Sequence, residues 1–101
     1  MEAQDTKLLP IGTVVKLKKV DKPVMIYGRH QLQKKTEKIF DYIAVPYPEG
    51  NLTEEFNVFF NRNLVDEVLH QGLISRAELL LREKVESDIN KNREKDHSDE
   101  D

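Results

Sequence analysis

The sequence predicts a small α+β domain, in which an antiparallel sheet of three to four strands, able to curl like a small barrel, precedes two helices and a charged tail. Three observations predict it. Short β-branched and aromatic runs with period-two alternation recur as far as Phe60. Beyond Asn63 the apolar spacing changes to three and four residues, the helical period. After Ile89 no apolar residue follows, so residues 90–101 have nothing to bury and are expected to form a disordered acidic tail. With residues 1–7 expected to be flexible, one domain is left at 8–89, and a chain of 101 residues has no room for a second.

The first strand is expected after Leu8-Leu9-Pro10-Ile11-Gly12. Thr13 to Lys18 alternates, with Val15 and Leu17 inward and Lys16 and Lys18 in water. Val20-Asp21-Lys22-Pro23 makes a polar turn, and Val24 to Tyr27 a second strand that closes a hairpin. Gly28 ends or bulges that strand, and Arg29 to Lys38 is a polar connection with four cations and one acid, read as a solvated hairpin loop. Ile39 to Val45, apolar on both faces apart from Asp41, is expected to be a central strand. Pro46 to Asn51 cannot continue a ladder and must turn. Phe56, Val58 and Phe60 give a short fourth strand.

Two helices are then expected. Asn63 caps the first, Leu64, Val65, Val68 and Leu69 form its stripe, and Gly72 terminates it. Ser75 and Glu78 form a capping box for the second, which is expected to run from Arg76 to about Asp88 with Ala77, Leu81, Val85 and Ile89 at four-residue spacing.

Composition narrows the function classes. The absence of cysteine in so small a chain, together with an amino terminus that lacks an apolar run, points to the cytoplasm. No stretch is apolar enough for a membrane span. The formal charge of −3 hides an asymmetry: residues 1–48 balance at +4, residues 49–81 at −4 and residues 82–101 at −3. Such a dipolar chain lacks the strongly basic character of a dedicated nucleic-acid binder.

No constellation of catalytic or metal-ligating residues is legible. His30, His70 and His97 are expected in a loop, a helix end and the tail, and the four glycines are isolated, so no phosphate loop forms. His70 is read as a helix C-terminal cation favoured by the macrodipole. Neither an enzymatic role, a cofactor nor a metal is expected. Surfaces for a protein partner are the better candidates. Tyr47, Glu49 and Asn51 stand in a rigid segment, Tyr-Pro-Glu-Gly-Asn, although turn chemistry alone accounts for most of it. Of Phe59 and Phe60, adjacent in a strand, one ring can join the core while the other looks outward. Leu79 and Leu80, with Leu81, spread apolar surface over a wider arc than one helix on a small sheet needs, so either the helix is sandwiched within the domain, the favoured reading, or part of the arc awaits a partner helix. The basic stretch Arg29, His30, Lys34, Lys35 and Lys38 could touch phosphate, but a solvated hairpin loop is the better reading.

The order of these segments resembles a small family from Gram-positive bacteria that occurs in type VII secretion gene clusters, beside toxins carrying the Leu-x-Gly export domain. The resemblance is carried by Leu8 to Val15, Val24 to Arg29, Phe40-Asp41-Tyr42, Tyr47 to Asn51 and Phe59 to Asn61, in that order, and covers about residues 8–75. It implies an accessory protein, an adaptor or chaperone for such a toxin, whose partner is the helical export domain; it brings no catalytic residue. A toxin-neutralising immunity protein, with the acidic 49–81 half covering a basic active site, and a small-barrel nucleic-acid binder are the alternatives. Self-association into a homo-oligomer is compatible with the same surfaces.

Overall fold

In the computed structural model of the chain, residues 7–100 are described, the side chains of 92–100 apart. The expected flexible segment 1–7 therefore lies, save Lys7, outside the described residues. Five strands form one antiparallel sheet: β1 Val14–Leu17, β2 Val24–Gln33, β3 Lys38–Pro46, β4 Val58–Phe60 and β5 Val65–His70. Their spatial order is β4-β3-β2-β1-β5, so β4 and β5 are open edges and the sheet is not a closed barrel. Among the described residues a single α-helix, α1 Arg76–Glu100, follows. One-turn 3-10 segments at Glu54–Phe56 and Arg62–Leu64 bracket β4.

The expected hairpin of β1 and β2 is present, with Val14 opposite Met25 and Val15 opposite Val24. Residues 29–38 are not a long loop. Both strands run through them to a tight turn at 34–37, where the Glu37 N–H donates to the Gln33 carbonyl at 2.7 Å and Glu37 takes a positive φ. Polar side chains disguised this part of the hairpin because its faces are largely exposed there, and exposed strands need not alternate. Gly28 marks a bulge, as the register between β2 and β3 slips between Ile26 and Gly28.

The larger correction concerns residues 63–72. The structure has five strands and one helix where three or four strands and two helices were expected, because Val65–His70 pairs with β1 instead of coiling. Apolar residues at 64, 65, 68 and 69 fit a helical stripe, but a run of six is too short to separate the two periods. An isolated helix of that length is also marginal in water, whereas the free edge of β1 offers a ladder. Two register shifts against β1 absorb the imperfect alternation, and Lys16 reaches Asp66 at 3.3 Å. His70 consequently stands opposite Val14 at a strand end, not at a helix C-terminus. Gly72, read as a helix terminator, has a packing role. A Cβ there would lie 2.2 Å from the Ile11 carbonyl oxygen, where the chain leaving β5 crosses the turn before β1. Its N–H donates to the buried Thr13 hydroxyl at 3.0 Å.

The core lies on one face of the sheet. Val15, Leu17, Val24, Ile26, Tyr42, Ala44 and Phe60 meet Leu8 from the segment before β1 and Ile89 from α1. The Tyr42 and Phe60 rings pack at 5.2 Å between centroids. Ser75 starts α1 as expected, its hydroxyl accepting the Glu78 N–H at 3.1 Å. The helix continues past Asp88 to Glu100, through residues read as tail.

Candidate functional site

The helix does not sit on the sheet by its leucines. A four-residue spacing drifts about 40° around a helix at every step, so Ala77 and Ile89 cannot share a face. Glu78, Arg82, Val85, Glu86 and Ile89 do share one, and that face meets the rest of the fold. Val85 and Ile89 pack on the core, whereas the amino-terminal half of the contact is ionic. The Glu78 carboxylate accepts two hydrogen bonds from the Arg29 guanidinium, at 2.8 and 2.9 Å, with side-chain exposures of only 9% and 3%. Glu78 therefore turns toward β2, and only the Ser75 half of the expected capping box forms.

Residues 8 and 9 fill the gap between helix and sheet, and side chains from both layers hold their backbone. The Leu8 N–H donates to Glu86 Oε2 at 2.8 Å, and its carbonyl accepts from Arg82 at 3.2 Å. The Leu9 N–H donates to the Tyr42 hydroxyl at 2.9 Å, and its carbonyl accepts from Arg29 at 3.2 Å. All four backbone polar groups of this non-strand dipeptide are thus satisfied by side chains. Burial pushes the Tyr42 phenol up to about 12, even though the Leu9 N–H bond favours the ionised form.

A second ionic chain runs alongside. Asp41 Oδ2 accepts from the Arg62 N–H at 2.9 Å and from Arg62 Nε at 3.1 Å, while Arg62 also reaches Glu86 at 3.3 Å. Burial disfavours the Arg62 charge, but the Asp41 and Glu86 carboxylates outweigh it and raise its pKa. The Asp41 N–H donates to the Asn61 side chain at 2.9 Å.

The outward side of α1 is apolar in its first turns, ahead of the exposed Glu83, Lys84 and Ser87. Leu80 is 60% and Leu81 50% exposed, Ala77 is exposed, and Leu73 and Ile74 in the approach to the helix are 81% and 40% exposed. Leu79 lies on the flank, in a surface groove lined also by Lys7, Arg82, Glu83, Glu86 and Asn90. Leu79 and Leu80, singled out from the sequence, are therefore presented to solvent.

The remaining sequence candidates separate. Phe60 is core, 1% exposed, whereas Phe59 is half-buried on the other side of β4 and packs on Phe40 at 5.8 Å. Tyr47, Glu49 and Asn51 are exposed in the turn after β3, which holds a cis Tyr47–Pro48 bond and Gly50 at φ 82°. Glu49 reaches Lys22 at 2.7 Å, and that bond holds its carboxyl below the usual range. Asn51 accepts from the Asn57 amide, which also donates to the Tyr27 hydroxyl. These residues do not converge with the leucines of α1. Among the described residues no group of three His, Asp or Glu side chains could hold a metal ion, and no helix is long and apolar enough to cross a membrane.

Sequence reasoning missed the seam between α1 and the sheet. Its signal was a capping glutamate, Glu78, that could equally serve as an ion-pair partner, and a lone arginine, Arg29, directly after a strand glycine. A family model described as Domain of unknown function (DUF4176) matches residues 8–81, from the clamped Leu8 to the outward Leu81. The chain belongs to this family. The DUF4176 match thus spans all five strands, the Arg29–Glu78 pair and the first turns of α1, while Arg82 and Glu86 lie just beyond it. No curated protein and no solved structure matches the chain.

Proposed function

We propose that this protein is a non-enzymatic binding module that receives a helical partner on the outward face of α1, acting as an adaptor or chaperone. The observation that carries the reading is the reversal of α1: its charged residues Glu78, Arg82 and Glu86 turn inward while Leu80 and Leu81 face water. Contiguous apolar surface of this kind marks interaction sites, and an apolar helix face docks most readily on another helix. Full burial of one leucine contributes about 1.5–3 kcal/mol, so covering Leu73, Ile74, Leu80 and Leu81 supplies several kcal/mol toward a complex. The partner is the export domain of a type VII secreted toxin, an assignment that rests on the resemblance carried by the ordered motifs between Leu8 and Asn61.

Co-expression with the export domain of a neighbouring toxin tests this directly. A stable complex on size-exclusion chromatography at micromolar concentration is expected, and Leu80→Asp with Leu81→Asp should abolish it while leaving the fold intact. Separate elution of the unmodified proteins sinks the reading. Capture of the toxic domain in place of the export domain would favour neutralisation over delivery.

A further inference from the structure

We infer that α1 is a displaceable lid, held over the apolar face of the sheet by a polar latch and able to lift while the sheet stays folded. Its seat is then a helix-receptive groove with an occupant from the same chain.

Among the described residues the contacts that fasten the amino-terminal half of α1 are polar. Arg29 with Glu78 and Arg62 with Glu86 are the ion pairs, and Arg82 and Glu86 grip the Leu8 backbone from the helix side. Apolar fastening comes from Ile89 and Val85, near the far end of the described side chains. In contrast, β2 and β3 share a ladder over most of their length, β1 joins β2 at Val14 and Val15, and the three strands bury Val15, Val24, Ile26, Tyr42 and Ala44 together. Polar contacts act over a short range and in one geometry, so they break together once the helix moves by an ångström or two. A buried ion pair also gains little over its separated, hydrated partners, because desolvation offsets its attraction. The latch is therefore specific in geometry and weak in net hold.

Lifting α1 has two consequences. A lone helix that has lost its packing surface is marginal in water, so α1 would fray when open. Leu8 and Leu9, which lie between helix and sheet, leave with α1, and the vacated seat then bares the Tyr42 and Phe60 rings with Ile26, a surface that fits the apolar stripe of an amphipathic helix from a partner. This goes beyond docking on the outer leucines, since it concerns the opposite side of the helix, and it needs no partner to be observed.

Native-state hydrogen exchange on the full chain tests it. Interior amides of residues 80–89 and those of Leu8 and Leu9 should exchange together, at least tenfold faster than the most protected amides of β2 and β3. Glu78→Ala should speed the helix amides at least a further tenfold with the strand amides unchanged, and should admit an apolar reporter dye. The double variant Arg29→Met, Glu78→Leu, which replaces the ion pair by apolar contact, should slow the helix amides below the unmodified rate. If Glu78→Ala yields no folded protein, Glu86→Gln carries the same expectation at the part-exposed pair. Helix and strand amides exchanging through one common opening in the unmodified protein would overturn the inference, as would variants that speed both equally.

Discussion

β2 meets β3 along a nine-residue hairpin ladder and through apolar side chains, whereas α1 meets the same sheet through carboxylates, guanidinium groups and the backbone of two intervening residues, with Val85 and Ile89 adding apolar contact further along. The difference teaches what each kind of contact secures. Apolar packing tolerates small changes of shape and scales with area, so it supplies most of the stability. The ionic seam adds little net energy but admits one placement of the helix, because bidentate pairs and two backbone clamps must all be met at once. One region gives hold and the other gives position.

Four substitutions and one titration can break or sharpen that contrast. Phe60→Ala, in the apolar region, removes a ring from the core beside Tyr42 and should cost about 3–5 kcal/mol, much of what so small a domain possesses, read from urea denaturation. Arg29→Ala, in the seam, should cost about 3 kcal/mol, because it leaves the Glu78 carboxylate buried without its partner. A loss under about 1 kcal/mol would mean that the helix is not positioned by this pair at all.

Tyr42 belongs to both regions, since its ring is core and its hydroxyl is seam. Its folded pKa lies above the ordinary 10.0, at about 12, so the unfolded chain loses this proton first as pH rises. The stability it contributes is complete below pH 10 and declines between about 10 and 12, by roughly 2–3 kcal/mol in total. Denaturation midpoints across that window should fall, and the portion due to position 42 should vanish in Tyr42→Phe. Gly72→Ala should cost about 1–3 kcal/mol, as its methyl group cannot share space with the Ile11 carbonyl and the backbone must shift. Smallest is Glu49→Gln, at an exposed pair with Lys22, which should leave the midpoint where it was. A clear drop there would assign the turn after β3 a structural role that its exposure denies.

Legibility followed the range of the forces. The β1–β2 hairpin, the inward Val15 and Leu17 and the Ser75 cap all depend on neighbours in sequence, and all were readable. The helix wrongly expected at 63–72 failed because its competitor, the free edge of β1, lies some fifty residues away. The surplus of apolar surface on α1 was readable as an amount but not as a direction. Which side of the helix turns inward was settled by Arg29, a residue remote in sequence whose burial needs Glu78. The turn at Tyr47 to Asn51 was recognisable from Pro and Gly, yet its ties to Lys22 and Asn57 come from other segments.

By itself, the sequence determined an antiparallel sheet ahead of a helix that starts at Ser75, because alternation, turn residues and caps act within a few residues of one another. The tertiary structure alone decided that residues 65–70 complete the sheet and that the helix turns Glu78, Arg82 and Glu86 inward and shows its leucines. Both outcomes depend on partners far along the chain, a bare strand edge in one case and a buried guanidinium in the other, and no local pattern carries that information.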